Sequence, residues 1–288
     1  MTAAPSNRHA SLVQWLERHI GELEALVLDI DGVLLIESRP TRGSRRLLDL
    51  VKQHGTPLSL LTNDANHSPR EKARTLQASG LKISADEIIS SGDGLVEVVE
   101  RFGVQGELFF VMGDFGNPCF GEKAGLTITR QIRDLPKCSG VIVGEDHYDW
   151  EPVINGVVNY FVGWPEGLFV VPNPDEFYPR AGGDIHIGAG GVARFIERVL
   201  AAYGIAINPV YLGKPYSPIF EHNHRHLEKR IGKPIERSNI LMIGDLPEAD
   251  IKGANAFGYR SGLLLSGVTR PDRALRASDT PDFLFEAL

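Results

Sequence analysis

The sequence predicts an α/β protein built on a parallel sheet, and three observations carry that expectation. Short, wholly apolar runs recur along the chain, and most are followed by a stretch whose apolar residues repeat at helical spacing. Glycine, proline and capping residues punctuate the two kinds of segment. One run, Ala25-Leu26-Val27-Leu28-Asp29-Ile30-Asp31-Gly32-Val33-Leu34-Leu35, closes on two carboxylates and a glycine, as expected of a buried central strand whose polar end emerges at a sheet edge. In open α/β sheets that edge is where ligands bind. A chain of 288 residues is ample for one large domain or two.

In order, Leu12, Val13, Leu16, Ile20 and Leu23 give an amphipathic helix over 11–24, which serves packing. On the strand that follows, Asp29 and Asp31 lie two apart and project the same way. Two carboxylates held together repel unless a cation sits between them, and magnesium suits such oxygen ligands. Gly32 lets the chain turn sharply. Taken alone, the stretch fits a strand that ends in an ordinary polar turn equally well. Residues 44–54 read as a helix stopped by Gly55 and 57–61 as the next strand, with Thr62-Asn63 at its carboxyl end. Ser68 can cap a helix, Pro69 suits its first position, Glu71 completes a capping box and Gly80 ends it. A second capping box joins Ser84 and Glu87, and a periodic stretch over 95–102 stops at Gly103.

The middle of the chain carries strand-like runs at 108–112, 126–129, 141–143 and 168–171, with helices near 149–161 and 192–202. Pro172-Asn173-Pro174-Asp175 reads as a turn, and Gly188-Ala189-Gly190-Gly191 as the start of a helix. After Gly204, residues 210–212 form a short strand leading to Gly213-Lys214-Pro215, and a helix runs over 217–231. An apolar strand over 239–243 ends at Gly244-Asp245. The helix over 247–257 stops at Gly258, and 260–265 is the expected final strand.

A formal net charge of −7 argues against nucleic acid or an acidic membrane surface as partner. Two cysteines, Cys119 and Cys138, are too few for a disulfide framework and lack metal-ligand spacing; both fit small buried hydrophobes in a reducing cytoplasm. No run approaches the ~18 apolar residues of a membrane span, and the first residues lack a secretory hydrophobic region. His222, His224 and His226 alternate within a helix, so only the outer two share a face, as on a solvated surface. His147, beside Asp146, Tyr148 and Trp150, is the better candidate for touching a small molecule, with packing within its own segment the favoured alternative.

The arrangement D-x-D-G-V at Asp29 resembles the first signature of the haloacid dehalogenase superfamily, and three further stretches resemble its other signatures in order. They are Leu60-Leu61-Thr62-Asn63, Gly213-Lys214-Pro215, and Gly244-Asp245 followed by Asp250-Ile251. The resemblance implies a three-layer, doubly wound, Rossmann-like core made of residues 1–89 and 208–288. The signature-free segment 90–207 is then an inserted α/β cap, and its Asn173, Asp175 and glycine-rich stretch resemble cap signatures of the NagD-type subgroup.

The activity implied is a phosphatase that hydrolyses a small phosphate ester, a sugar phosphate or a nucleotide monophosphate, with Mg2+. Asp29 would be the nucleophile. Asp31 would protonate the leaving alcohol and then activate water. Thr62, Asn63 and Lys214 would bind the phosphoryl oxygens, and Asn173 and Asp175 the rest of the substrate. Asp29, Asp31 through its carbonyl, and Asp245 would hold the metal, with Asp250 behind them. The resemblance leaves a homodimer open.

Two positions depart from the pattern. Asp64 stands where the subgroup usually has asparagine, so its charge should be kept off a phosphate. Ala249 replaces a typical threonine, which removes a hydroxyl and no charge. A phospho-ligand sensor on the same fold is the rival reading, although a pure binder has no need of both Asp29 and Asp31. Mutases of the superfamily usually carry a small cap soon after the first signature, which the interval 34–44 is too short to house.

Overall fold

A computed structural model describes residues 7–36, 39–179, 184–267 and 276–288. The chain forms two compact units, each an α/β sandwich: one of Met1–Thr62, Pro69–Ile89 and Lys214–Leu288, the other of Asn63–Ser68 and Ser90–Gly213.

The first unit is organised by a seven-stranded sheet in the order Arg8–His9, Phe283–Phe285, Arg260–Leu264, Ile240–Gly244, Ala25–Asp29, Leu58–Thr62, Ile88–Ser90. The pairings from Arg8–His9 through to Leu58–Thr62 are parallel. Alternate residues of the central strand feed opposite cores, which is why it is apolar on both faces. Leu26 and Leu28 pack with Leu12, Leu16, Leu47 and Leu76 from the helices of the first part of the chain. Ala25 and Val27 pack with Ile219, Phe220, Ala254 and Phe257 from the helices Ser217–Ile231 and Lys252–Phe257. Helices thus cover both faces of a doubly wound sheet.

Register brings three strand ends to one edge. Asp29 pairs with Leu61, one residue before Thr62, and Ile243 pairs with Leu28, two residues before Asp245. The carboxyl ends of the three middle strands therefore carry Asp29, Thr62 and Asp245 at nearly the same level.

The second unit repeats the plan. Its five-stranded parallel sheet runs Val210–Tyr211, Leu168–Val171, Gly140–Val143, Leu108–Met112, Thr127–Thr129. Phe110, Val141 and Phe169 pack on the helices Trp150–Gly163 and Ala189–Ala202, while Phe109, Ile142 and Val170 pack on Leu95–Phe102. A small antiparallel pair, Phe177–Pro179 with Ile185–Ile187, is added.

Several expectations are revised. Arg260–Leu264 is not the last strand, because Phe283–Phe285 pairs with it and Arg8–His9 pairs beyond that. Arg8–His9 carries no apolar run; it is a strand only because its backbone meets that of Leu284 and Phe285. The first helix is split into Leu12–His19 and a 3-10 turn, Ile20–Glu22. The segment expected as one helix over 247–257 opens with a π-helical turn, Pro247–Ile251. The expected histidine face is not simply solvated: the ring of His224 lies against Phe257 and Tyr259, and His226 Nε2 meets the Asp86 carbonyl at 2.8 Å.

Candidate active site

At the carboxyl edge of the first unit's sheet, carboxylate oxygens of Asp29, Asp245 and Asp250 lie within 4.8 Å of one another, and all three residues are buried. Each arrives by a local rule. Asp29 is the last residue of its strand, and Asp245 follows directly on Ile240–Gly244. Asp250 is turned back by the π-helical Pro247–Ile251, so that its Oδ2 accepts from the backbone N–H groups of Asp245 at 3.2 Å and Leu246 at 3.1 Å.

Lys214 Nζ sits between two of these acids, 2.7 Å from Asp29 Oδ1 and 2.7 Å from Asp250 Oδ1, and also donates to the Leu61 carbonyl at 3.2 Å. Lys214 thus pairs with two of the three buried carboxylates. Burial pushes the Asp29 carboxyl well above its usual range; Lys214 opposes that shift, while Asp250 and Asp245 add to it. Burial disfavours the Lys214 charge, but Asp250 and Asp29 outweigh it and hold the ammonium above the ordinary lysine range.

The space around Asp245 is cut to fit. A Cβ on Gly32, whose φ is +89°, would fall 2.1 Å from Asp245 Oδ2, and one on Gly267 would fall 2.3 Å from the same atom. Glycine is required at position 32 both for the turn and for this approach. Three buried carboxylates whose oxygens converge, beside a cradle that side chains would fill, fit a small divalent cation with hard-ligand preference.

Asp31 behaves differently from the expected matched pair. The strand ends at Asp29, so the two-residue alternation does not continue, and the Asp31 side chain is 69% exposed. Its Oδ2 lies 3.8 Å from Lys72 Nζ, contributed by the helix Pro69–Ala78. Lys72 was not singled out by any motif; its only sequence signal is one turn's distance from Pro69 on a helix that follows a signature. Thr62 is buried at the end of its strand.

The remaining expected residues, Asn63, Asn173 and Asp175, come together within the second unit. Asn63 Nδ2 donates to Asp175 Oδ1 at 3.2 Å, and the Asp175 N–H donates to Asn173 Oδ1 at 2.9 Å. Asp64 is engaged in its own loop: Oδ1 accepts from the N–H groups of Asn66 at 2.9 Å and His67 at 3.2 Å, and Oδ2 meets His67 Nδ1 at 2.9 Å. His147, exposed and in left-handed backbone at φ 49°, pairs with Asp114 Oδ2 at 2.6 Å. Ala249 is buried within the π-helical turn.

Among the described residues, no helix is long and apolar enough to cross a membrane. A family model described as haloacid dehalogenase-like hydrolase matches residues 26–126, and a second, HAD-hydrolase-like model matches residues 211–288. The chain is 28% identical over 242 residues to a dihydroxyacetone phosphatase of Corynebacterium glutamicum, covering 84% of this chain and 80% of that protein. It is 27% identical over 255 residues to the ribonucleotide monophosphatase NagD of Escherichia coli, covering 87% and 90%. A crystal structure of a possible sugar phosphatase of the HAD superfamily from Cytophaga hutchinsonii superposes with a TM-score of 0.78 at 27% identity, covering 97% of this chain and 98% of that one. The chain belongs to the haloacid dehalogenase superfamily, as a phosphoric monoester hydrolase of its NagD-type subgroup.

Proposed function

We propose that the protein is a magnesium-dependent phosphatase of the cytoplasm that hydrolyses a small phosphorylated metabolite, a sugar phosphate or a nucleotide monophosphate, through an aspartyl-phosphate intermediate, an acyl phosphate on Asp29. The observation that carries this reading is the convergence of three buried carboxylates within 4.8 Å beside the Lys214 ammonium, at the end of the D-x-D strand. Asp29, Asp245 and the backbone carbonyl of Asp31 would hold the cation, and Asp250, fixed by two backbone N–H groups and Lys214, would orient the ligands. Bound magnesium would neutralise charge on the phosphoryl oxygens.

The chain's own groups carry the steps. An Asp29 oxygen attacks phosphorus, and the bond from phosphorus to the substrate's alcohol oxygen breaks. Asp31 gives that oxygen a proton. The exposure of Asp31 suits a group that must exchange protons with an incoming alcohol or water. In the second half, Asp31 takes a proton from water as the water oxygen attacks phosphorus, and Asp29 is released with inorganic phosphate. The Lys214 ammonium, the Thr62 hydroxyl and the Asn63 N–H stabilise charge on the transferring group. Residues 90–207 act as a cap that selects the alcohol, with Asn173 and Asp175 among the residues that set the choice.

The test is hydrolysis of p-nitrophenyl phosphate with and without Mg2+, followed by a panel of phosphorylated sugars and nucleotides. Metal-dependent turnover, lost with EDTA and restored by Mg2+, is the expected result. Saturable binding of phosphate esters without turnover would replace the enzyme by a phospho-ligand sensor.

A further inference from the structure

Glu145 is a buried acid that no step above uses. It lies just after the strand Gly140–Val143 in the second unit, and both of its carboxylate oxygens accept hydrogen bonds. Oε2 accepts from Asn66 Nδ2 at 2.8 Å; Oε1 accepts from Asn173 Nδ2 at 2.8 Å and from the Ala189 N–H at 3.1 Å. The backbone around it is anchored as well, since the Asp114 N–H donates to the Glu145 carbonyl at 2.8 Å. A Cβ on Gly113 would stand 2.6 Å from that carbonyl oxygen, so the approach is close.

The three donors come from three separate stretches of chain: the loop Asn63–Ser68, the turn that begins at Asn173, and the first residue of the helix Ala189–Ala202. These stretches also touch one another. Asn63 donates to Asp175, and Asp175 donates to Asn173. A Cβ on Gly213 would fall 2.6 Å from both Asn63 Oδ1 and Pro174 Cδ, and one on Gly190 would fall 2.1 Å from the Pro174 carbonyl. Residues 63 and 213 are joined by peptide bonds to Thr62 and Lys214, so the network grips the chain at the two places where it leads to those phosphate-binding groups.

Among the described residues no ion pair engages Glu145; its carboxylate accepts from two neutral amides and from a helix N-terminus, which favours a negative group. Burial raises its carboxyl above the usual range, the Ala189 N–H and the two asparagines oppose the shift, and Asp64 adds to it. An acid kept in such a place at a cost, with each contact going to a different segment, is suited to fixing those segments against each other.

We propose that Glu145 is a positioning residue for substrate binding: its carboxylate holds the loop after Thr62 and the Asn173–Asp175 turn in one arrangement, and so sets KM. The inference rests on the phosphatase reading above. Wild-type turnover of p-nitrophenyl phosphate tests that reading; the ratio of each variant to wild type tests this one. Glu145→Ala should raise KM by about tenfold or more with a smaller change in kcat, because the Lys214 and Asp29 cluster is not part of the network. Glu145→Gln keeps the acceptor to Asn173 and Ala189 and lets Asn66 turn its amide to accept, so it should recover most of the lost affinity.

Hydrogen exchange supplies a readout that needs no activity. Peptides covering residues 63–68 and 173–175 should exchange faster in Glu145→Ala and near the wild-type rate in Glu145→Gln. Should Glu145→Ala fail to fold, Asn66→Ala is the second variant, expected to raise KM and to loosen 63–68 alone. Unchanged KM in the folded variants, or a fall in melting temperature with exchange spread evenly over the unit, would overturn the proposal.

Discussion

Two buried carboxylate sites, one in each unit, are partnered by different chemistry, and the roles proposed for them, a reactive centre and a brace, follow that difference. In the first unit Asp29, Asp245 and Asp250 converge within 4.8 Å, and Lys214 pairs with Asp29 and Asp250. In the second unit Glu145 meets two side-chain amides and a backbone N–H, so both of its carboxylate oxygens are partnered inside the protein. Burial pushes the pKa of both Asp29 and Glu145 upward, so a raised value alone does not separate the two roles. What would separate the proposed roles is whether neutral donors or a bound cation partner the carboxylates.

The largest expected effect comes from removing the nucleophile. Asp29→Asn keeps the shape and loses the attacking oxygen, so kcat on p-nitrophenyl phosphate should fall by at least about 10³-fold, with circular dichroism unchanged. Near-wild-type turnover would break the comparison at its first term. Asp31→Asn should slow hydrolysis by about 10²-fold or more, and less on esters with good leaving groups, which need no proton in the first step. Equal losses on good and poor leaving groups in the phosphorylation half-reaction would remove Asp31 from that role.

Asp250→Asn should weaken the apparent affinity for Mg2+ by about 10–100-fold, because the residue orients ligands that it does not replace. Glu145→Ala should leave that affinity unchanged, and titration of activity against Mg2+ in the two variants sharpens the contrast directly. Mg2+ at 100 times its dissociation constant should stabilise the wild type by about 2.7 kcal/mol, read as a rise in melting temperature. Binding needs Asp29 ionised, and its folded pKa is raised, so the rise should grow as pH climbs through that value. A rise that shrank over the same interval would show that Asp29 is not a ligand. The smallest effect expected on p-nitrophenyl phosphate belongs to conservative changes at Asp175, which should reorder the preferred natural substrates instead; uniform loss on every substrate would assign Asp175 to general support.

Local chemistry explains why the four motifs could be read from the chain alone. Asp29, Thr62 and Asp245 each end a short apolar strand, and a run of buried residues that stops at a polar one marks a sheet edge without help from the rest of the molecule. The helices over 44–54, 95–102 and 217–231 were legible for the same reason, with glycines at 55, 103 and 232 in left-handed backbone to stop them. By contrast, Asp31 was expected to match Asp29 because both were counted along one strand, and the strand stops between them.

What the sequence by itself determined, then, was the α/β class, the order of the elements and the residues at the carboxyl edge, since these follow from periodicity and capping within a few residues of each position. Tertiary structure alone decided that Arg8–His9 is a strand, that Lys72 reaches Asp31, that Gly32 and Gly267 leave room for Asp245, and that Glu145 joins Asn66, Asn173 and Ala189. Each of these depends on a partner far away in the chain. A hydrogen bond or a close approach between distant segments leaves no local period or cap to read, and exists only once hydrophobic burial has brought the sheets and helices together.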